Sequence, residues 1–112
     1  MNSKPKILLS NDDSIFATGL RVLARALSEF ADVTIVAPQL QHSGGSHAIT
    51  LDKPVRAWKH YEAEQFVGYM VTGTPADCVK LALTSLLDFR PDLVVSGINH
   101  GPNIGINVVY SG

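Results

Sequence analysis

The chain has a single cysteine, Cys78, so no disulfide can form within it and a fold stapled by internal bridges is excluded. That usage fits a reducing compartment. Long apolar runs are absent too: none approaches the roughly 20 residues that span a bilayer, and MNSKPK passes into a strand-like pattern too soon for a signal peptide. The expectation is a cytoplasmic protein with no membrane partner. Neither sign of charge dominates, since nine Lys and Arg face ten Asp and Glu for a formal net charge of -1. A broad basic face is therefore not expected, nor a stable nucleic-acid complex, although a local phosphate pocket is compatible with this balance. His42, His47, His60 and His100 lack zinc-like spacing and a cysteine cluster, so they read as solvent or loop histidines. No GxGxxG follows the first strand pattern, which argues against a dinucleotide-binding domain. What is present is apolar material: 46% hydrophobic against 17% charged residues in 112 positions suffices for one core, so a single α/β domain over 1–112 is expected.

Lys6 to Ser10 carries Ile7, Leu8 and Leu9 without a polar break, as in a strand covered on both faces. From Gly19 to Phe30 the period changes, with Leu20, Leu23, Ala24, Leu27 and Phe30 at helical spacing. Val33 to Ala37, closed by Pro38, is a second short strand, which makes a βαβ unit with parallel pairing and a right-handed crossover. Gln39 to His47 is polar, contains paired glycines and reads as a surface loop. Ile49 to Trp58 predicts an edge strand or hairpin arm, restricted by Pro54. Phe66 to Val71 predicts another strand. At Gly73 to Asp77, GTPAD predicts a helix start with Thr74 as cap and Pro75 at the first helical position. That helix is expected to run through Leu87 and to be stopped by Arg90-Pro91. Leu93 to Ser96 is the next buried strand, and GINHGPNIG, Gly97 to Gly105, predicts a loop of special backbone angles or close approach. The alternation specifies a Rossmann-like, open, mostly parallel sheet with helices on both faces, whose ligands bind beyond the carboxyl ends of the strands.

The pair Asp12-Asp13 stands where the first strand ends. Adjacent carboxylates repel, so they are either exposed or at a helix N-terminus, or they face one hard divalent cation through oxygen. Asn11 is a turn residue or a ligand-binding amide. Ser43, in HSGGSH, belongs to a flexible loop or offers a hydroxyl to a metal or phosphate; it lacks the GxSxG setting of a serine nucleophile. Asn99 is a turn asparagine or a neutral oxygen ligand. Gly73 and Thr74 cap a helix or turn N–H groups to a phosphate. Asp77 and Lys80 read as helix-surface residues and Cys78 as core. A phospho-acceptor receiver domain also places an acidic pair after its first strand. Ser96 and Asn99 at the late strand end, and Lys80 inside a helix, argue against that reading.

Taken together, LSNDDSIFATGLRVLARAL, VTIVAPQLQHSGGSHAITL, VTGTPADCVKLAL and PDLVVSGINHGPNIGINVVYSG resemble the N-terminal portion of the SurE survival-protein family of metal-dependent 5'-nucleotidases and acid phosphatases. The resemblance covers nearly the whole chain. It implies a divalent ion, magnesium, manganese or another divalent cation, held by Asp12, Asp13, Ser43 and Asn99. It implies hydrolysis of nucleoside 5'-monophosphates or other phosphomonoesters by metal-activated water. Asp12 or Asp13 would be the catalytic base, and Asn11, Gly44 and Ser111 would lie near the phosphate. It also implies a homo-oligomer, a dimer or tetramer, for the full-length family. Two positions depart from the pattern. Ser14 replaces a glycine and would cost roughly 1 kcal/mol if a positive φ were required. Ala17-Thr18 stands where proline is common, and Thr18 is expected to cap the helix instead. Members are considerably longer, so the chain reads as truncated at its C-terminus, and the competing reading is a catalytically inactive metal- or nucleotide-binding fragment.

Overall fold

In the first strand, β1 (Lys6–Ser10), every second side chain points to the same face. Ile7 and Leu9 enter one apolar cluster and Leu8 another. The computed structural model describes residues 4–40, 54–99 and 105–111, with 109–111 described through their backbone alone. After β1 come α1 (Thr18–Leu27), β2 (Asp32–Pro38), β3 (Ala57–Glu62), β4 (Gln65–Val71), α2 (Pro75–Leu81), β5 (Leu93–Asn99) and β6 (Gly105–Ser111). A π-type helical turn, Ala82–Leu86, continues α2.

The strands form one six-stranded sheet in the order β3-β4-β2-β1-β5-β6. β1 lies parallel to β2 and β5, and β2 parallel to β4, whereas the outer strands β3 and β6 are antiparallel to their neighbours. The chain thus winds outward from β1 through β2 to β4, then returns to the far side of β1 for β5. Right-handed crossovers made in opposite directions place their helices on opposite faces. Accordingly Leu20 and Leu23 of α1 pack with Ile7, Leu9 and Ile35, while Cys78 and Ala82 pack with Leu8, Val36 and Val94. Full burial of a side chain such as Leu8 stabilises by roughly 1.5–3 kcal/mol, so each face of β1 contributes to folding.

Five expectations need correction. The edge hairpin arm expected over Ile49 to Trp58 is shifted: β3 begins at Ala57, residues 54–56 are not strand, and 49–53 lie outside the described residues. Its register is set by β4 through the pair Glu62 and Gln65. The two residues between them, Ala63 at φ 49° and Glu64 at φ 66°, form a two-residue turn with positive φ at both positions. Helix α1 stops at Leu27, leaving Phe30 58% exposed, and its cap is Ala17 with no side-chain cap bond, so Thr18 is the first helical residue and does not cap. α2 stops at Leu81, and the π-type turn carries the chain only to Leu86. The expected glycine loop is partly strand, because β5 extends to Asn99 and β6 pairs with it, covering what would otherwise be an open edge. Gly97 permits this close approach: a Cβ there would stand 3.0 Å from Ile106 Cγ1.

Candidate metal and phosphate site

In a doubly wound sheet the crevice opens where the winding reverses, which here is between β1 and β5. β1 ends there at Ser10, whose register partner is Ser96 of β5, and β5 runs on to Asn99. Beyond them, the Asp12 backbone N–H donates to Asn99 Oδ1 at 2.9 Å. Asn11 is fully buried, and its Nδ2 donates to Ser14 O at 2.9 Å. The Ser14 carbonyl also accepts the Ala17 N–H at 3.1 Å, and Ser14 Oγ accepts the Phe16 N–H at 3.1 Å. Among the described residues the non-glycines with positive φ are Ala63 and Glu64, so Ser14 carries no left-handed strain and its hydroxyl helps to shape the loop.

Three buried oxygens on this rim have no hydrogen-bond partner among the described residues: Ser10 Oγ, Asn11 Oδ1 and Asp13 Oδ2. Buried polar atoms are ordinarily satisfied, and an orphan marks a place for water, an ion or a ligand. Asp12 is exposed beside them and Asn99 is 9% exposed. No group of three or more His, Cys, Asp and Glu among the described residues could hold an ion. A cation on this rim would depend on a mixed set of carboxylate, amide and hydroxyl oxygens, which suits a hard divalent ion. Asp12, Asp13 and Asn99 fit that requirement.

A cavity of about 330 Å³ adjoins these oxygens. Ser10, Asp12, Ser96, Asn99 and Asn107 form its polar side, and Pro75, Ala76 and Val79 of α2 form an apolar wall. Asn107 and that wall are absent from the sequence reading. Asn107 reaches the cavity through the unforeseen β5–β6 pairing, where it is opposite Ser96, and α2 is brought in by the crossover. Ser10 and Ser96, each closing an apolar run, are the one local signal in the sequence.

The remaining candidates separate. Ser43, Gly44, His42, His47 and His100 lie outside the described residues. Ser111 is not brought to the rim: its backbone pairs with Leu93, at the opposite end of β5 from Asn99. Thr74 caps α2 as expected, and more completely. Its Oγ accepts the Asp77 N–H at 3.1 Å while Asp77 Oδ2 accepts the Thr74 N–H at 2.9 Å, a capping box. That N–H is therefore taken up, and Asp77 is a capping residue instead of a surface charge. A Cβ on Gly73 would overlap the Asp77 side chain, so glycine is needed for the box to close. Lys80 is exposed and Cys78 buried, and burial pushes the Cys78 thiol up to about 12. His60 is no loop histidine but a member of β3, with Nε2 2.9 Å from Glu62 Oε2.

Fold and site together define a doubly wound α/β protein with an oxygen-rich, carboxylate-bearing crevice at its switch point. A family model described as "Survival protein SurE" matches residues 7–112. The chain belongs to the SurE family. Curated relatives include "5'-nucleotidase SurE" of Chlorobium phaeobacteroides, 52% identical over 109 residues, covering 97% of this chain and 42% of that protein. The protein of the same name from Methylococcus capsulatus is 55% identical over 107 residues, covering 95% of this chain and 41% of that one. Among solved structures, the crystal structure of the SurE protein from Aquifex aeolicus superimposes with a TM-score of 0.73 at 42% identity, covering 90% of this chain and 40% of that chain. The chain thus spans about 42% of the length of the curated relatives first matched.

Proposed function

We propose that this chain carries the metal- and phosphate-binding part of a phosphomonoesterase acting on nucleoside 5'-monophosphates. The observation that carries the reading is the orphaned, buried Asp13 Oδ2 beside an Asp12 whose backbone is tied to Asn99, at the switch point of a SurE-family sheet. Asp12, Asp13 and Asn99, with Ser43 from the loop after β2, are the residues that would hold a divalent cation such as magnesium or manganese. When bound, such an ion supplies an acidified water and offsets charge on the phosphoryl oxygens. The residues of the chain do the rest. Asn99 orients the Asp12 backbone and thereby the pair. Either Asp12 or Asp13 accepts the proton of the attacking water, whose oxygen forms the new bond to phosphorus as the ester bond breaks, and that proton passes on to the 5'-oxygen of the departing nucleoside. Asn11, whose free Oδ1 can accept from a water held beside the phosphate, and Gly44 are the residues we assign to the phosphate side. The apolar wall of Pro75, Ala76 and Val79 faces the leaving nucleoside, and a cavity of about 330 Å³ falls within the range for small-ligand sites, about 300–1,000 Å³.

The test is release of inorganic phosphate from nucleoside monophosphates and an aryl phosphate with manganese or magnesium, then with chelator. Asp13→Asn is expected to lower metal-dependent release about a hundredfold or more, equivalent to about 2.7 kcal/mol. Metal-independent release, or full activity in the variant, would overturn the assignment. Metal and nucleotide binding without turnover would select the second reading, a binding chain that is not itself an enzyme.

A further inference from the structure

Arg21 lies in α1, yet its side chain reaches in two other directions. Nε donates to the Ile15 carbonyl at 2.8 Å, while Nη1 and Nη2 donate to Glu62 Oε1 and Oε2 at 3.0 and 2.8 Å. Glu62, at the end of β3, is also engaged by His60 Nε2 at 2.9 Å. The His60 ring meets Phe16 edge to face, with centroids 5.1 Å apart at 84°. Two consecutive residues of the β1–α1 loop are therefore linked to β3, Phe16 directly by its ring on His60 and Ile15 by its carbonyl through Arg21 of α1 to Glu62. The same loop carries Asp12 and Asp13, and its other end is tied to β5 through Asn99. Ile15 is itself buried, with its N–H donating to Pro38 O at 2.8 Å. The carboxylates thus sit between a tether to β5 and a tether to the β3–β4 hairpin.

We propose that Arg21 is a positioning residue: paired with Glu62, it couples the β3–β4 hairpin to the carboxylate loop and sets that loop's affinity for a hard divalent cation from outside the site. The inference rests on the cation-site reading above. Its chemistry depends on the planar guanidinium, which donates to a carbonyl along one edge and to a carboxylate in bidentate fashion along another, whereas a lysine ammonium presents one point charge. Arg21, chiefly by its hydrogen bonds, together with His60 holds the Glu62 carboxyl down to about 2. An exposed ion pair of this kind adds little to global stability. Its effect falls on the geometry of the loop, as with outer-sphere partners that tune metal sites without ligating.

The experiment is Mn²⁺ binding by the whole chain, followed through the electron paramagnetic resonance signal of free Mn²⁺, with melting temperature measured alongside. Arg21→Lys and Glu62→Ala are each expected to weaken Mn²⁺ binding about tenfold with nearly unchanged melting. The double variant should lose no more than either alone, and Glu62→Gln, which keeps an acceptor oxygen, should retain most of the affinity. Unchanged affinity in both single variants, additive losses in the double, or losses that simply follow the melting temperature would overturn the proposal. Should Arg21→Lys not fold, Glu62→Ala carries the same test, because its side chain is 44% exposed. Asp13→Asn separates the two ideas. If the parent chain shows no Mn²⁺ binding that Asp13→Asn removes, the cation site fails and the coupling with it. If the parent binds and Glu62→Ala binds equally, the coupling alone is overturned.

Discussion

Asn99 and Asp12 stand 87 positions apart in sequence and 2.9 Å apart as hydrogen-bond partners. That single bond ties the ends of β1 and β5 together where the winding reverses. Asn99→Ala leaves the Asp12 N–H without its acceptor, which should cost about 1–3 kcal/mol in a denaturant titration and weaken cation binding in parallel. Asp13 was legible as a candidate because an acidic pair ended an apolar run; its orphaned Oδ2 was not, since only packing decides which oxygen is buried. Glu62 gave no signal at all in the sequence, its partner Arg21 lying 41 positions away. Because its carboxyl is lowered from the ordinary 4.5 to about 2, its contribution is fully present above pH 4.5. It fades as protonation proceeds down to about pH 2. Acid titration of the parent against Glu62→Gln should show the two stabilities converging across that window. The gap above it should be small, because the pair is exposed to solvent.

The elements differ in how openly they declared themselves. β1, β2 and α2 were plain: unbroken apolar runs marked the two strands, and TPAD marked a capping box that the structure closes through Thr74 and Asp77. β4 stands where Phe66 to Val71 predicts it, but its partner β3 lies later than expected because their turn is Ala63-Glu64, without the Asn or Gly that announces a two-residue turn with positive φ. Tertiary pairing forces both residues into a left-handed conformation, which costs about 1–2 kcal/mol per non-glycine residue. Replacing Ala63 by Asn and Glu64 by Gly should recover roughly 1 kcal/mol of that, seen as a higher midpoint in urea unfolding with the same slope. β6 was hidden for a different reason. Gly97 and Gly105 look like loop punctuation, whereas Gly97 is buried in β5 to admit Ile106 closely.

At the scale of the whole molecule, two half-cores flank one sheet, and the crevice belongs to neither. It arises where β5 crosses to the far side of β1, so any ion or nucleotide seated there bridges β1 and β5. Ligand that binds only the folded state stabilises by mass action, about 2.7 kcal/mol at a hundredfold excess over Kd. Manganese should therefore raise the melting temperature of the parent chain, chelator should reverse it, and Asp13→Asn should show neither effect. By itself the sequence determined the alternation of strand and helix, the two-faced burial of β1 and the acidic pair at its end, because hydrophobic period and local capping chemistry are written residue by residue. Only the tertiary structure decided that Asn99 meets Asp12, that Asn107 and α2 wall the cavity, and that Arg21 joins Ile15 to Glu62. Those contacts depend on strand order and register, which arise from packing over the whole sheet and leave no trace in any local stretch of the chain.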